Sequence, residues 1–377
     1  MPESGDISLR RLGPSPVSQD LGAAPARSAP QRARADAVGQ GLLDRVSHRV
    51  ARTFSAVPIF RGRRPATARR GASPAVDGAA IDLLDLEVVA KDFAVQISDW
   101  RIERGARVAL IGHNGAGKTT IMDALLGLRK PVRLRGSMLG RDFAAWHRRP
   151  ALRRRLGVLL TRASYAIDGV AHIVDFHRRL YGGDSGAAAE ALGISPLRGQ
   201  HYPLLSRGER QRLDLFMALA HRPDIAFLDE PFTGLDQQYT LAAGDLIRGL
   251  RDTTVVMACH SAAELSLASV AAWLDRGRIL LCDSPQAMRE KLIGEFRLHV
   301  SFATPAAAER FRRRAATELK PRFTHVISAV ELSLFGSEAL VTLARGLVDD
   351  AEVTAVELAR ATFGDLLYRC SLGDMDA

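Results

Sequence analysis

Cysteine is scarce: the chain has three in 377 residues, Cys259, Cys282 and Cys370, an odd number with no CxxC spacing. That excludes a disulfide framework and argues against a zinc site, and reduced core thiols of a cytosolic protein fit better. Long hydrophobic runs are missing too. No stretch of about 18 apolar residues occurs, the length a membrane-spanning helix needs, and the N-terminus lacks the short apolar core of a secretory signal. Work at a membrane would have to be done from the water side. No internal repeat is visible.

Acidic charge is in deficit, with 52 Lys and Arg against 42 Asp and Glu, a formal +10. Residues 1–80 hold 13 Arg and 6 acidic residues, so +7 falls there and +3 is left for everything else. The basicity belongs to the tail, and the remaining chain gives little support for a nucleic-acid binder. Aromatic residues are also few in 1–80, which is rich in Ala, Arg, Pro, Ser and Gly. Such a composition cannot bury enough apolar surface to offset its ordering entropy, so disorder is expected. Within it, Leu43, Val46, Val50, Phe54 and Val57 recur at helical spacing with Arg45, Arg49 and Arg52 between them. That pattern suits a transient helix, or a basic amphipathic anchor touching anionic membrane.

From about Ile81 the pattern becomes that of a folded domain. Ile81–Phe93 and Val95–Ile102 alternate as strands do, and the run 108–111 follows Arg104 and Gly105. Ile121, Leu125 and Leu128, with Met122 and Leu126 beside them, space as a buried helix. Residues 141–204 read mainly as helices. A strand at 225–228, a helix at 239–250, a strand at 253–258 and a hairpin at 271–282 follow. This alternation predicts an α/β fold with a largely parallel sheet. The segment from about 293 has strand-like runs at Phe296–Phe302 and Ala339–Leu343 and reads as a small separate α/β unit.

Two motifs carry chemistry. Gly112-His113-Asn114-Gly115-Ala116-Gly117-Lys118-Thr119 satisfies GxxxxGK[ST], after an apolar strand and before a helix, and Thr120 joins the expected nucleotide-binding residues. Its backbone N–H groups would cradle phosphate, Lys118 would reach the β- and γ-phosphates, and Thr119 would ligate Mg²⁺. The second is Ile225-Ala226-Phe227-Leu228-Asp229-Glu230, an apolar strand delivering two carboxylates to its carboxyl end. Asp229 is placed to hold the metal and Glu230 to orient or deprotonate an attacking water.

Between them stands Leu205-Ser206-Arg207-Gly208-Glu209, and beyond them Gly234-Leu235-Asp236 and His260. In this order the elements resemble the ATP-binding subunits of ABC transporters over about residues 85–290. The resemblance implies a phosphate-loop NTPase core with a mixed, largely parallel sheet. An N-terminal antiparallel β subdomain, a helical subdomain and a small C-terminal α/β unit would complete the α/β fold. It divides the chain into a tail (1–80), an ATPase domain (81–291) and an accessory unit (292–377).

By the same resemblance ATP and Mg²⁺ are the cofactors. Ser206 and Gly208 would meet the γ-phosphate held by an opposite subunit, Asp236 would lie at the dimer seam, and His260 would contact the γ-phosphate and hold Glu230 and water. Partners would be a second copy or a related ATPase subunit, together with integral membrane permease subunits, and no specific nucleic acid. The place of work would be the cytoplasmic face of the cell membrane. Residues 275–285 and 361–367 are similar to bacterial drug- and antibiotic-type exporter ATPases, so export is the expected process.

Three positions depart from the family pattern. Thr161 stands where a glutamine is usual, Phe93 is spaced closely before Gly105 for an adenine-stacking aromatic, and Arg207 replaces a frequent glycine. Two other readings stand beside export. One is a soluble ATPase acting on nucleic acid or ribosomes, although the second cassette or long coiled-coil insertion usual there is missing. The other is a slow regulatory nucleotide-binding subunit, motivated by Thr161.

Overall fold

The computed structural model describes residues 78–90, 93–160, 168–182, 185–348 and 350–373. The basic tail with its expected amphipathic helix, and Thr161, lie outside them.

Burial along the first strand, β1 (Ala79–Ala90), shows how side-chain pattern sets layout. Ile81 and Leu83 are buried, then Leu86 and Val88, so the alternation slips by one residue. The slip coincides with a register shift at Leu83/Asp85 against a neighbouring strand, a bulge that turns both apolar pairs to the same side. Strand β2 (Phe93–Glu103) pairs antiparallel with β1, and Phe93 belongs to it rather than to the first strand.

Strand β3 (Arg107–Ile111) leads through the phosphate loop into helix α1 (Lys118–Leu125). Leu128, expected on the buried face of this helix, lies beyond its end and is half exposed; Gly127 at φ +73° has already turned the chain away. Strands β4 (Arg133–Met138) and β5 (Arg141–Asp142) complete an antiparallel sheet of order β2-β1-β4-β5. Short helices α2 (Phe143–Arg148) and α3 (Pro150–Arg153) precede strand β6 (Leu156–Leu159). Helices α4 (Val170–Tyr181), α5 (Gly186–Ala191) and α6 (Arg207–Leu219) follow, so among the described residues of 141–204 the regular elements are helices apart from β5 and β6.

Then come strand β7 (Ile225–Asp229), helix α7 (Gln237–Gly249), strand β8 (Thr254–Ala258) and helix α8 (Ala262–Leu265). The hairpin is β9 (Val270–Asp275) and β10 (Arg278–Asp283), and helix α9 (Pro285–Leu292) closes this part. Strands β3, β6, β7, β8 and β9 pair in parallel, and β10 joins antiparallel, in a sheet of order β10-β9-β3-β8-β7-β6.

Each central strand is buried on both faces, as a parallel sheet requires. Ile225 and Phe227 of β7, with Val108 and Leu110 of β3, pack toward α1 and the antiparallel sheet. Ala226, Leu228, Ala109 and Ile111 pack the opposite way, against α6 and α7. Both motifs thus hang from the carboxyl ends of buried strands, β3 and β7, with β8 between them.

The last part holds β11 (Phe296–Phe302), α10 (Pro305–Glu318), β12 (Phe323–Val326), β13 (Glu331–Gly336), α11 (Ala339–Leu347), β14 (Val353–Arg360) and α12 (Phe363–Ser371). Its strands form an antiparallel sheet of order β12-β13-β11-β14. The run 339–343, expected as a strand, is the start of helix α11. Leu340, Ala344 and Leu347 are its buried residues, at helical spacing that a five-residue window cannot reveal. Helix α12 returns to the part built on the six-stranded sheet: Leu366 and Cys370 sit in the same apolar cluster as Trp273 and Met288, and the Trp273 indole donates to the Cys370 carbonyl at 3.2 Å.

Candidate nucleotide site

The phosphate loop is shaped by its wall. Gly112 has φ +141°, and a Cβ there would run into the Leu274 carbonyl oxygen, so only glycine lets the loop leave β3 alongside β9. The turn after β9 braces the other side: the Asp275 carboxylate meets His113 Nε2 at 3.0 Å, and the Gly277 N–H donates to the Ala116 carbonyl at 3.0 Å. Asn114 and Gly115 form the exposed crest, and Ala116 and Gly117 are buried beneath it. Thr119 and Thr120 follow Lys118 in the first turn of α1, whose N-terminal amides favour an anion.

The Lys118 ammonium donates to the Gly112 and His113 carbonyls at 2.7 and 3.1 Å, so it lies inside the curl of its own loop. Burial lowers its pKa, and the nearby Glu230 and Asp229 carboxylates act in the opposite direction. A buried cation in a cradle of amides, facing two carboxylates, suits a polyanion carrying its own metal. The Thr119 hydroxyl stands 3.3 and 3.4 Å from the two Asp229 oxygens, a pair able to share one Mg²⁺. The residues present fit the cofactors expected from the sequence.

Beyond Asp229 the chain turns sharply, with Glu230 at φ +51°. Its backbone and that of Pro231 accept from the Gln211 amide on α6 at 3.1 and 2.9 Å. Thr233 donates to the Glu230 carboxylate at 3.1 Å, and His260 Nε2 lies 3.4 Å from its other oxygen. His260 follows β8, which pairs with β7, so parallel pairing brings the histidine beside the glutamate.

Ser206 caps α6. Its hydroxyl accepts from the Glu209 N–H at 3.2 Å while the Glu209 side chain returns to the Ser206 N–H at 2.8 Å. The Ser206 backbone N–H, and after it the Ser206 side chain, hold the Glu209 carboxyl below its usual pKa. Gly208 packs against the Gly234 carbonyl. Asp236 is exposed and caps α7, accepting from the Tyr239 N–H at 2.9 Å. The structure thus gathers Lys118, Thr119, Asp229, Glu230 and His260 in one place, and Ser206, Gly208 and Asp236 in a second group around the loop that follows Glu230. Phe93 is half-buried, with its ring edge against Gly117.

Motif reading passes over several residues here. Asp275, Gln211 and Glu264 touch the site through partners distant in sequence or on the backbone, and Thr233 through the Glu230 carboxylate three residues away. The buried Glu264 accepts from the Phe232, His260 and Ser261 N–H groups at 3.2, 2.7 and 3.0 Å. Only the Ser-x-x-Glu capping box at 261–264 hints at it. Helix α12 also reaches the site, where Gly364, Leu367 and Tyr368 line a crevice with Gly112, Cys259 and His260.

Fold and site together define a phosphate-loop nucleoside-triphosphate-binding protein. A family profile described as ABC transporter matches residues 95–233. The chain is 33% identical over 201 residues to a probable ABC transporter ATP-binding protein of Azorhizobium caulinodans, covering 50% of this chain and 70% of that one. It belongs to the ABC transporter ATP-binding family. It is also 32% identical over 220 residues to the molybdenum import ATP-binding protein ModC of Mesorhizobium japonicum, covering 53% of this chain and 57% of ModC. For two of the curated relatives it matches, the chain spans only 32% and 57% of their length. A solved bacterial Atm1-family ABC exporter with ATP bound shares the fold at a TM-score of 0.51 and 19% identity, over 74% of this chain and 48% of that one. Among the described residues no helix is long and apolar enough to cross a membrane.

Proposed function

We propose that this chain binds ATP with Mg²⁺ and hydrolyses it as one of two paired cassettes, powering transport through separate membrane subunits. The observation that carries the reading is the convergence of Lys118, Thr119, Asp229, Glu230 and His260 at the ends of three adjacent parallel strands.

Lys118 and the loop amides would bind the phosphates, and Thr119 with Asp229 would hold the metal, which would neutralise charge on the β- and γ-phosphate oxygens. Glu230 accepts the proton of the attacking water, and its Thr233 and His260 contacts fix where its carboxylate points. Phosphoryl transfer asks mainly for such positioning and charge compensation. Ser206 and Gly208 stand apart from this group, which supports the reading that they serve the nucleotide of a second subunit, with Asp236 at the seam. The cassette would then work at the cytoplasmic face of the membrane, docked on permease subunits.

Export is the direction supported by residues 275–285 and 361–367, similar to drug-type exporter ATPases. Import is the second reading, favoured by the name of the ModC relative. Uptake against efflux, measured in vesicles holding the chain with its membrane partner, separates the two.

The hydrolysis reading is tested with Glu230→Gln. That variant should bind ATP, release no phosphate and accumulate as an ATP-bound dimer, because the base is lost while the cradle is kept. Turnover at the wild-type rate would defeat the assignment.

A further inference from the structure

Glu264 lies outside the nucleotide-binding motifs, yet it is 2% exposed and its carboxylate accepts from three backbone amides around the site. Its Oε2 accepts from the His260 and Ser261 amides at 2.7 and 3.0 Å, and its Oε1 from the Phe232 amide at 3.2 Å. Phe232 lies between Glu230 and Thr233, in the turn whose Thr233 hydroxyl holds the Glu230 carboxylate. One carboxylate therefore ties the segment carrying His260 to the turn carrying Glu230, and those two side chains face each other at 3.4 Å.

Hydrogen bonds from backbone amides to a buried carboxylate are charge-assisted, short and directional. Leaving the carboxylate buried without them would be costly, so the three amides are held in one arrangement. We propose that Glu264 is a positioning residue for ATP hydrolysis, a clamp that sets the Glu230–His260 separation by gripping both backbone segments at once. This rests on the hydrolysis reading above and adds to it the element that fixes the geometry. Glu264 acts through the backbone, by way of the Phe232, His260 and Ser261 amides.

A carboxylate can accept on both oxygens, whereas an amide can accept on one. Glu264→Gln should therefore release one of the two segments, and Glu264→Asp, a methylene shorter, should fail to span them. Ser261→Ala removes the hydroxyl that caps α8 and leaves all three amide bonds to Glu264 in place.

The test combines steady-state ATPase kinetics of the full chain with backbone hydrogen exchange read by mass spectrometry. For both Glu264 variants, kcat should fall at least about tenfold with the KM for ATP changed less than about twofold, the signature of an interaction needed after binding. Peptides covering 230–233 and 259–261 should both exchange faster in Glu264→Asp and one of them in Glu264→Gln, and Ser261→Ala should stay near wild type in kcat. Faster exchange confined to 259–261 in Glu264→Asp, an equal loss in Ser261→Ala, or wild-type kcat in Glu264→Gln would each overturn the clamp. Wild-type protein without ATP turnover would instead defeat the hydrolysis reading, and the paired exchange response would then decide the clamp alone.

Discussion

Gly208 and Gly234 meet so closely that a Cβ on Gly208 would lie 2.8 Å from the Gly234 carbonyl oxygen. The contact joins the start of α6 to the loop between Glu230 and Asp236, two elements that sequence order leaves 26 residues apart. Gly208→Ala must therefore push the start of α6 away from that loop, since the atom in the way is backbone. Such overpacking costs about 1–3 kcal/mol. ATP binding to the phosphate loop should survive, measured with a fluorescent nucleotide, while kcat falls at least about tenfold through a misplaced Ser206. Wild-type kcat in this variant would show that the spacing is immaterial.

Two buried titratable groups around the helical region should give opposite pH dependences of stability. His177 is 3% exposed and burial, with His221 nearby, pushes its pKa down to about 4. An unfolded histidine titrates near 6.5. Between these values the unfolded chain binds the extra proton, so this group removes stability as pH falls from about 6.5 to about 4. Asp214 on α6 accepts from the Tyr202 hydroxyl at 2.8 Å, its other oxygen is buried without a partner, and burial pushes its pKa up to about 6. Here the folded chain holds the proton longer, so stability is lost as pH rises from about 4 to about 6. Denaturant midpoints across pH 4–8 should show Asp214→Asn more stable than wild type above pH 6, with the gain vanishing near pH 4. His177→Gln should gain relative to wild type only as pH falls below about 6.5. A pH-independent offset for either variant would contradict the assigned cause.

The residues whose chemistry is fixed by type were legible in the sequence. A GxxxxGK[ST] loop after an apolar strand carries its chemistry in its own residues, and in the structure the Lys118 ammonium lies inside that loop with the Thr119 hydroxyl 3.3 Å from Asp229. The supports were not legible, because they join residues distant in sequence. Asp275 meets His113 across 162 positions, and Glu264 reaches Phe232 across 32. Short apolar runs misled where period could not be measured. Residues 339–343 are equally compatible with strand and helix until Ala344 and Leu347 extend the helical period. The bulge at Leu83/Asp85 is likewise visible only as broken alternation, whose cause lies in the pairing of β1 with β4.

Helix α12 sits in the core of the ATPase part, although it follows the accessory sheet in sequence. Leu366 is fully buried there, and removing a buried leucine to alanine costs about 2–5 kcal/mol. Leu366→Ala should lower the denaturation midpoint seen by the fluorescence of Trp273, which donates to the Cys370 carbonyl of the same helix. An unchanged Trp273 transition would mean that the accessory unit and the ATPase part unfold independently.

The claim at the centre of this account is that each nucleotide site is completed by a second subunit. Mixing two inactive variants, Lys118→Ala and Ser206→Arg, tests it most directly. In a mixed dimer one site combines both lesions and the other has neither. Each variant alone should be inactive, and the equimolar mixture should recover up to about a quarter of wild-type ATPase activity, since half the dimers are mixed and one site in each is whole. A mixture no more active than its separate components would contradict the shared site.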